Sequence, residues 1–196
     1  KSCSIRALLF ASQCIGESKI FNLLESTDVL DCCNALRTLG VKIVKRKSHY
    51  SVYGNGLNSF RIKKKITKLY IGNSMTTARL ISGLCSTLPS KFYLYGDASA
   101  NRRDFMRCIE KLERVGAKFF PRKKTLPLTI EGTSLPLAQE HVETRGSSQI
   151  KSMLLLSALS TPGITTVEEL KEKSSRTHTE IFLKKIGCDI KFKKTK

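Results

Sequence analysis

Apolar and polar positions alternate along this chain in a phrase that is used three times. Leu36-Arg-Thr-Leu-Gly40-Val-Lys-Ile, Leu112-Glu-Arg-Val-Gly116-Ala-Lys-Phe and Leu183-Lys-Lys-Ile-Gly187-Cys-Asp-Ile each join a helical apolar spacing to a strand-like run. The junction is always glycine, the residue that most readily takes the left-handed conformation closing a helix. Upstream of each phrase, Ala7-Leu-Leu-Phe-Ala, Leu80-Ile-Ser-Gly-Leu and Met153-Leu-Leu-Leu-Ser-Ala-Leu predict an apolar helix. A short strand is expected after each, at Lys19–Leu23, Phe92–Tyr95 and Thr165–Val167, with further strands at Ser51–Tyr53 and Leu128–Ile130. Helices over Val29–Leu39 and Phe105–Val115 follow Asp28 and Asp104 as expected N-caps, and Ser175 or Thr177 serves the third unit.

A single such unit cannot bury both faces of its sheet, whereas three packed together enclose their apolar helices. The expectation is one α/β domain over residues 1–196, with units at about 1–60, 68–133 and 144–196. The polar stretches Asn58–Lys68 and Ser134–Thr144 separate them.

Length and composition suit this: 196 residues, 40% hydrophobic and 26% charged, are ordinary for one globular domain. No apolar run approaches the roughly 18 residues of a membrane helix. Lys1–Cys14 superficially resembles a secretion signal, but Ser4, Arg6, Ser12 and Gln13 interrupt it, and an amphipathic helix is expected there. The absence of an initiator Met is what a fragment or processed product would show. Seven cysteines without a CxxC pair, and three scattered histidines (His49, His141, His178), fit reduced thiols in a cytoplasmic core rather than disulfides or zinc.

Charge changes the picture more. Thirty-five Lys and Arg against 16 Asp and Glu give +19, which attracts nucleic acid, anionic lipid or a phosphorylated substrate. The excess is spread over Lys42–Lys47, Arg61–Lys68, Lys118–Lys124 and Lys184–Lys196. Aromatic residues are 7% of the chain and Trp is absent, which weakens the case for a base-stacking platform.

The helix starts hold the candidate chemistry. Lys1-Ser-Cys-Ser-Ile-Arg6, Gly72-Asn-Ser-Met-Thr-Thr-Ala-Arg79 and Gly146-Ser-Ser-Gln-Ile-Lys151 each combine hydroxyl or small residues with a cation one turn on. Free N–H groups and the positive end of the helix dipole there favour an anion. Singly, each is more simply a helix cap; gathered at one edge, the three form a pocket for phosphates or carboxylates. Arg103 and Arg176 stand at the starts of second helices, where a guanidinium clamps an oxyanion or merely faces solvent. His178 reads as an acid–base group or, more simply, an orienting or capping residue.

These motifs, together with Gly96-Asp-Ala-Ser, Ser147-Ser-Gln149-x-Lys151-Ser, Thr161-Pro-Gly-Ile-Thr-Thr-Val167 and Ser175-Arg-x-His-Thr-Glu180, occur in the order found in EPSP synthases. The chain resembles that family over essentially its whole length, and its last two motifs resemble the bacterial branch called class II. The resemblance implies an enolpyruvyl-transferase-type fold of three βαβαββ-like pseudo-repeats, with helices inside mixed sheets and a second domain outside this chain. It implies enolpyruvyl transfer from phosphoenolpyruvate to shikimate 3-phosphate, without cofactor or metal. Lys1 matches the lysine that touches both substrates and is a candidate proton-transfer group. Arg103 matches the arginine that binds phosphoenolpyruvate, with Asn73 and Gln149 nearby. Ser2, Arg6, Ser147, Ser148 and Arg176 match positions that hold shikimate 3-phosphate.

Three departures from the family pattern point toward impaired activity. Met75 replaces a glycine and is expected to intrude on the phosphoenolpyruvate pocket. Asp104 replaces a proline and is expected to pair with Arg103. Ile5 stands where Asn or His precedes Arg6. The remaining catalytic groups lie in the other half of family enzymes, so this chain alone is expected to be inactive unless a separate chain supplies that half. The alternative reading is a basic nucleic-acid-binding or RNA 3′-phosphate cyclase-like module. The SerSerGln and SerArgxHisThrGlu motifs argue against a cell-wall enolpyruvyl transferase.

Overall fold

The computed structural model describes residues 1–193 apart from 63, 171 and 173, so the end of the third unit lies outside the described residues. The first unit runs α1 (Ser2–Gln13), β1 (Ile15–Phe21), α2 (Thr27–Thr38), β2 (Lys42–Lys45) and β3 (His49–Asn55). The second runs β4 (Ile66–Tyr70), α3 (Met75–Ser86), β5 (Lys91–Tyr95), α4 (Met106–Val115), β6 (Lys118–Phe120) and β7 (Leu128–Glu131). The third is β8 (Glu140–Glu143), α5 (Ser148–Ala158), β9 (Thr166–Glu169) and α6 (His178–Lys185).

Each unit forms its own sheet, in the orders β1-β3-β2, β4-β5-β7-β6 and β8-β9. The wiring repeats. An antiparallel trio recurs as β1-β3-β2 and β5-β7-β6, and a parallel pair recurs as β4-β5 and β8-β9. The parallel pairs need a crossover, which α3 and α5 supply. As expected from the three glycine phrases, Gly40, Gly116 and Gly187 take φ of 86°, 114° and 89° just past α2, α4 and α6.

The first helices of the units, α1, α3 and α5, form the centre, and α3 packs on α1 and α5. Every residue of α3 except Arg79 is buried, and its polar residues are otherwise only the small hydroxyls of Thr76, Thr77, Ser82 and Ser86. The sheets present alternate residues to these helices: Leu69, Phe92, Leu94, Leu128 and Ile130 are buried while their neighbours face outward.

Several expectations are corrected. α2 starts at Thr27 with Ser26 at the cap, so Asp28 lies in the first turn instead of capping it. Residues 188–193 after Gly187 form no strand. In the first two units the corresponding strands, β2 and β6, pair with the hairpin strands β3 and β7, and no such partner follows among the described residues. Met75, the first residue of α3, packs in the hydrophobic core, and Ile5 is buried in the same core. Asp104 does not pair with Arg103. Its carboxylate accepts from the Met106 N–H at 2.7 Å, at the start of α4.

Burial also predicts an acid sensitivity centred on one histidine. His141 on β8 is 1% exposed, and neither ring nitrogen finds a hydrogen-bond partner among the described residues. Arg107, Lys111 and Arg114 on one face of α4 grip β8 through Glu143, the Val142 carbonyl and the Glu140 carbonyl. Burial first, and then the Arg114 and Lys111 cations, push the His141 imidazole down to about 4. The folded chain therefore keeps it neutral where the unfolded chain protonates. Stability present above about pH 6.5 is lost as pH falls toward about 4, by roughly 3 kcal/mol in total. Urea titrations between pH 7 and 4.5 are expected to show this decline, and His141→Leu to flatten it. An equal decline in that variant would assign the effect to other groups.

Candidate functional site

The N-termini of α1, α3 and α5 are brought to one end of the molecule by their own side chains. Ser74 caps α3 by accepting from the Thr77 N–H at 3.2 Å, and Ser147 caps α5 by accepting from the Ile150 N–H at 3.3 Å. Lys1 occupies the corresponding place on α1 and makes no cap through its side chain.

Arg6 joins the first and third units. Its guanidinium donates to the Ser2 carbonyl at 3.2 Å, the Ser148 carbonyl at 3.5 Å and the Ser152 hydroxyl at 2.9 Å, while Nε donates to the Thr179 hydroxyl at 2.8 Å. Gln149 joins the third unit to the second. It donates to the Thr76 hydroxyl at 3.0 Å and accepts from Arg79 at 2.6 Å. Ser2, Ser148 and Gln149 thus lie on one rim with the start of α3.

The three cations of the helix-start motifs are each engaged by other groups of the chain. Arg6 is buried, and burial pushes its guanidinium down from the ordinary value. Arg79 is spent on Gln149 and the Asp104 carbonyl. Lys151 is buried between Glu169 and Glu180, at 2.7 Å from each. Burial acts against the Glu169 carboxylate, but hydrogen bonds from Lys151 and Ser175 overcome it and hold that group below the usual carboxylate range. Through these contacts the three cations tie the helix starts of the rim together.

The exposed cations are others. Lys1 is half exposed and paired with Asp28 at 2.7 Å. Arg103 is exposed and donates to the Asn73 side-chain amide oxygen at 2.7 Å and the Ser99 hydroxyl at 3.3 Å. Asn73 in turn donates to Asp97 at 2.8 Å. The Ala100 N–H and then Asn73 hold the Asp97 carboxyl below its usual range. Asp31 is pushed the other way, by burial and then by Asp28 and Asp97. A set of carboxylates therefore stands behind Lys1, Asn73 and Arg103 and fixes their places. Arg176 is exposed in the segment before α6, and His178 is the exposed first residue of that helix. Thr177 stands at the cap position without a capping hydrogen bond.

Sequence reasoning missed Ser152, Thr179, Asp97 and Asp28, the groups that hold Arg6, Asn73 and Lys1. Ser152 lies one turn beyond Ser148 and was legible as a neighbour; nothing local joins Thr179 to Arg6. Among the described residues, no three His, Cys, Asp or Glu side chains are arranged to hold a metal ion.

The model of the family described as EPSP synthase (3-phosphoshikimate 1-carboxyvinyltransferase) matches residues 1–196. The 3-phosphoshikimate 1-carboxyvinyltransferases of Bradyrhizobium sp. (strain BTAi1) and Nitrobacter winogradskyi are each 38% identical over 97% of this chain. The alignments cover 42% and 43% of those relatives, so the chain spans less than half of their length. An EPSP synthase structure from Acinetobacter baumannii superposes with a TM-score of 0.90 at 32% identity, over 98% of this chain and 43% of that one. The enolpyruvyl transferase NikO from Streptomyces tendae, 16% identical with a TM-score of 0.61 over 97% of this chain and 44% of its own, shares the fold. On the match along its full length, this chain belongs to the EPSP synthase family.

Proposed function

We propose that this chain is the shikimate 3-phosphate-holding half of a carboxyvinyltransferase that takes its enolpyruvyl group from phosphoenolpyruvate. The observation that carries this is the Arg6 guanidinium bonded to both the Ser2 and Ser148 carbonyls, which draws the α1 and α5 starts together. Two polyanionic substrates repel each other, and oriented N–H groups with fixed cations at converging helix starts offset that repulsion.

In this reading Ser2, Ser147, Ser148 and Arg176 hold shikimate 3-phosphate, with Arg6 bracing the serines and lining the site beneath them. Arg103, presented by Asn73, takes phosphoenolpyruvate, and Gln149 aligns α5 beside it. Lys1 reaches both substrates and moves the proton. The 5-hydroxyl of shikimate 3-phosphate gives up its proton as its oxygen adds to C2 of phosphoenolpyruvate and C3 takes up a proton; phosphate then leaves C2 as C3 gives a proton back, which restores the vinyl double bond. No cofactor enters this scheme. Closure of a second domain excludes water and completes the site, so this half by itself binds without turnover. The seven free thiols fit a reducing cytoplasm. The alternative of a nucleic-acid module as the chain's primary role is set aside, because the family match runs through every unit.

Titration of the folded chain with shikimate 3-phosphate, followed by calorimetry or amide NMR shifts, tests the reading. Binding near ~1 mM, about 4 kcal/mol, is expected for half a site. Arg176→Ala removes an exposed charge-assisted contact and is expected to weaken binding about tenfold without unfolding the chain. No shifts at the Ser2 and Ser148 amides at millimolar ligand would remove the binding claim.

A further inference from the structure

The outer face of the four-stranded sheet carries chemistry that the anion rim does not use. The strand register sets Tyr70 beside Tyr95, Lys68 beside Tyr93, and Thr129 between Tyr93 and Phe120. The same register sets Lys91 and Lys118 on either side of Glu131. All of these alternate with the buried residues of their strands and so face away from the core.

The rings form a group. Tyr70 and Tyr95 lie 5.2 Å apart between centroids, and Tyr93 and Tyr95 lie 5.5 Å apart. Tyr70 is 43% exposed and Phe120 51%, so the face offers aromatic surface to solvent. Glu131 is the only carboxylate carried by the four strands, and it is paired with Lys91 at 3.1 Å. The face is therefore net positive, with a cation beside or diagonal to the rings.

We propose that this face binds single-stranded nucleic acid without sequence preference, bases stacking on Tyr70, Tyr93 and Tyr95 and phosphates meeting Lys68, Lys91 and Lys118. Stacking needs only a π-face, which every base offers, and lysines on neighbouring strands track the backbone. Four strands at ~4.8 Å spacing give a ledge about 14 Å wide, room for three or four nucleotides. A duplex hides its base faces and gains only the charge term. The +19 chain supplies long-range attraction, and the tyrosine ledge gives it a place to land.

Fluorescence anisotropy with labelled oligothymidine and oligouridine of about 12 nucleotides, long enough to cross the ledge, tests this on the chain as it stands. Tyrosine emission reports the same contact directly, since the chain has no Trp and three of its five tyrosines are on this face. Binding is expected to quench that emission and to weaken with salt at a slope of about two, from roughly three phosphate contacts. Tyr95→Ala is expected to weaken binding roughly tenfold, and Tyr95→Phe to retain it. Removing charge elsewhere, by Lys184→Gln and Lys185→Gln on α6, is expected to cost no more than about threefold through the general field. Unchanged binding in Tyr95→Ala, or an equal loss from the α6 changes, would overturn the proposal in favour of diffuse charge attraction. An unaltered urea midpoint for Tyr95→Ala separates loss of stacking from loss of fold. The test does not depend on shikimate 3-phosphate binding and is read without it.

Discussion

Lys151→Met is expected to destabilise the chain by roughly 3–5 kcal/mol, the usual result of removing one partner from a buried ionic group. The lysine side chain is 6% exposed and lies 2.7 Å from both Glu169 and Glu180, so the substitution leaves two carboxylates facing each other in the interior. Glu180 is poorly placed to adapt, since its second oxygen already lacks a hydrogen-bond partner among the described residues. Against a domain stability of about 5–15 kcal/mol, this is a large share. The damage reaches the rim, because Thr179 beside Glu180 holds Arg6, and Arg6 holds the Ser2 and Ser148 carbonyls. Urea unfolding at pH 7 measures the loss. Adding Glu180→Gln to Lys151→Met is expected to recover part of it. A midpoint unchanged by Lys151→Met would mean that the triad is not buried in solution.

The second large effect comes from a single methyl group. Gly83 on α3 faces α5 so closely that an added Cβ would overlap the Met153 carbonyl oxygen. The obstacle is backbone, so no side-chain rotation relieves it, and the two central helices must separate. Overpacking of this kind costs up to about 3 kcal/mol or more, against about 1 kcal/mol gained from alanine's better helix propensity. A net fall in Tm of roughly 5–8 °C is expected for Gly83→Ala in a chain of this size. The same displacement pulls Gln149 from Thr76 and Arg79, so shikimate 3-phosphate binding is expected to weaken as well. An unshifted Tm would show that α3 and α5 are packed less closely than this structure has them.

Both predictions concern contacts that the amino-acid order does not announce. Gly83 sits within an apolar run and looks like a mild helix flaw. Lys151 sits one turn into a helix start and looks like a ligand for an anion. Met75 and Asp104 read locally as pocket residues, and nothing in the order of residues says that the first packs in the core or that the second accepts a hydrogen bond at the start of α4. For Gly83 the answer depended on the helix that another unit placed opposite, for Lys151 on two carboxylates of its own unit that folding brought near, and for Asp104 on a backbone N–H two residues on.

What the sequence determined by itself was the repeat: three units, each with an apolar first helix and a helix closed by glycine. These features are local, set by hydrogen bonds a turn apart, by side-chain alternation along a strand and by the φ that glycine alone takes freely. The ordered motifs carried the family for the same reason, since they lie along the chain. Tertiary structure alone decided which cations are exposed. Arg6 meets Thr179 across 173 positions and Ser152 across 146, and nothing within a few residues of either end encodes that pairing. It also decided that a chain with few aromatic residues gathers three tyrosines on one ledge, because strand register, not composition, chooses which side chains become neighbours.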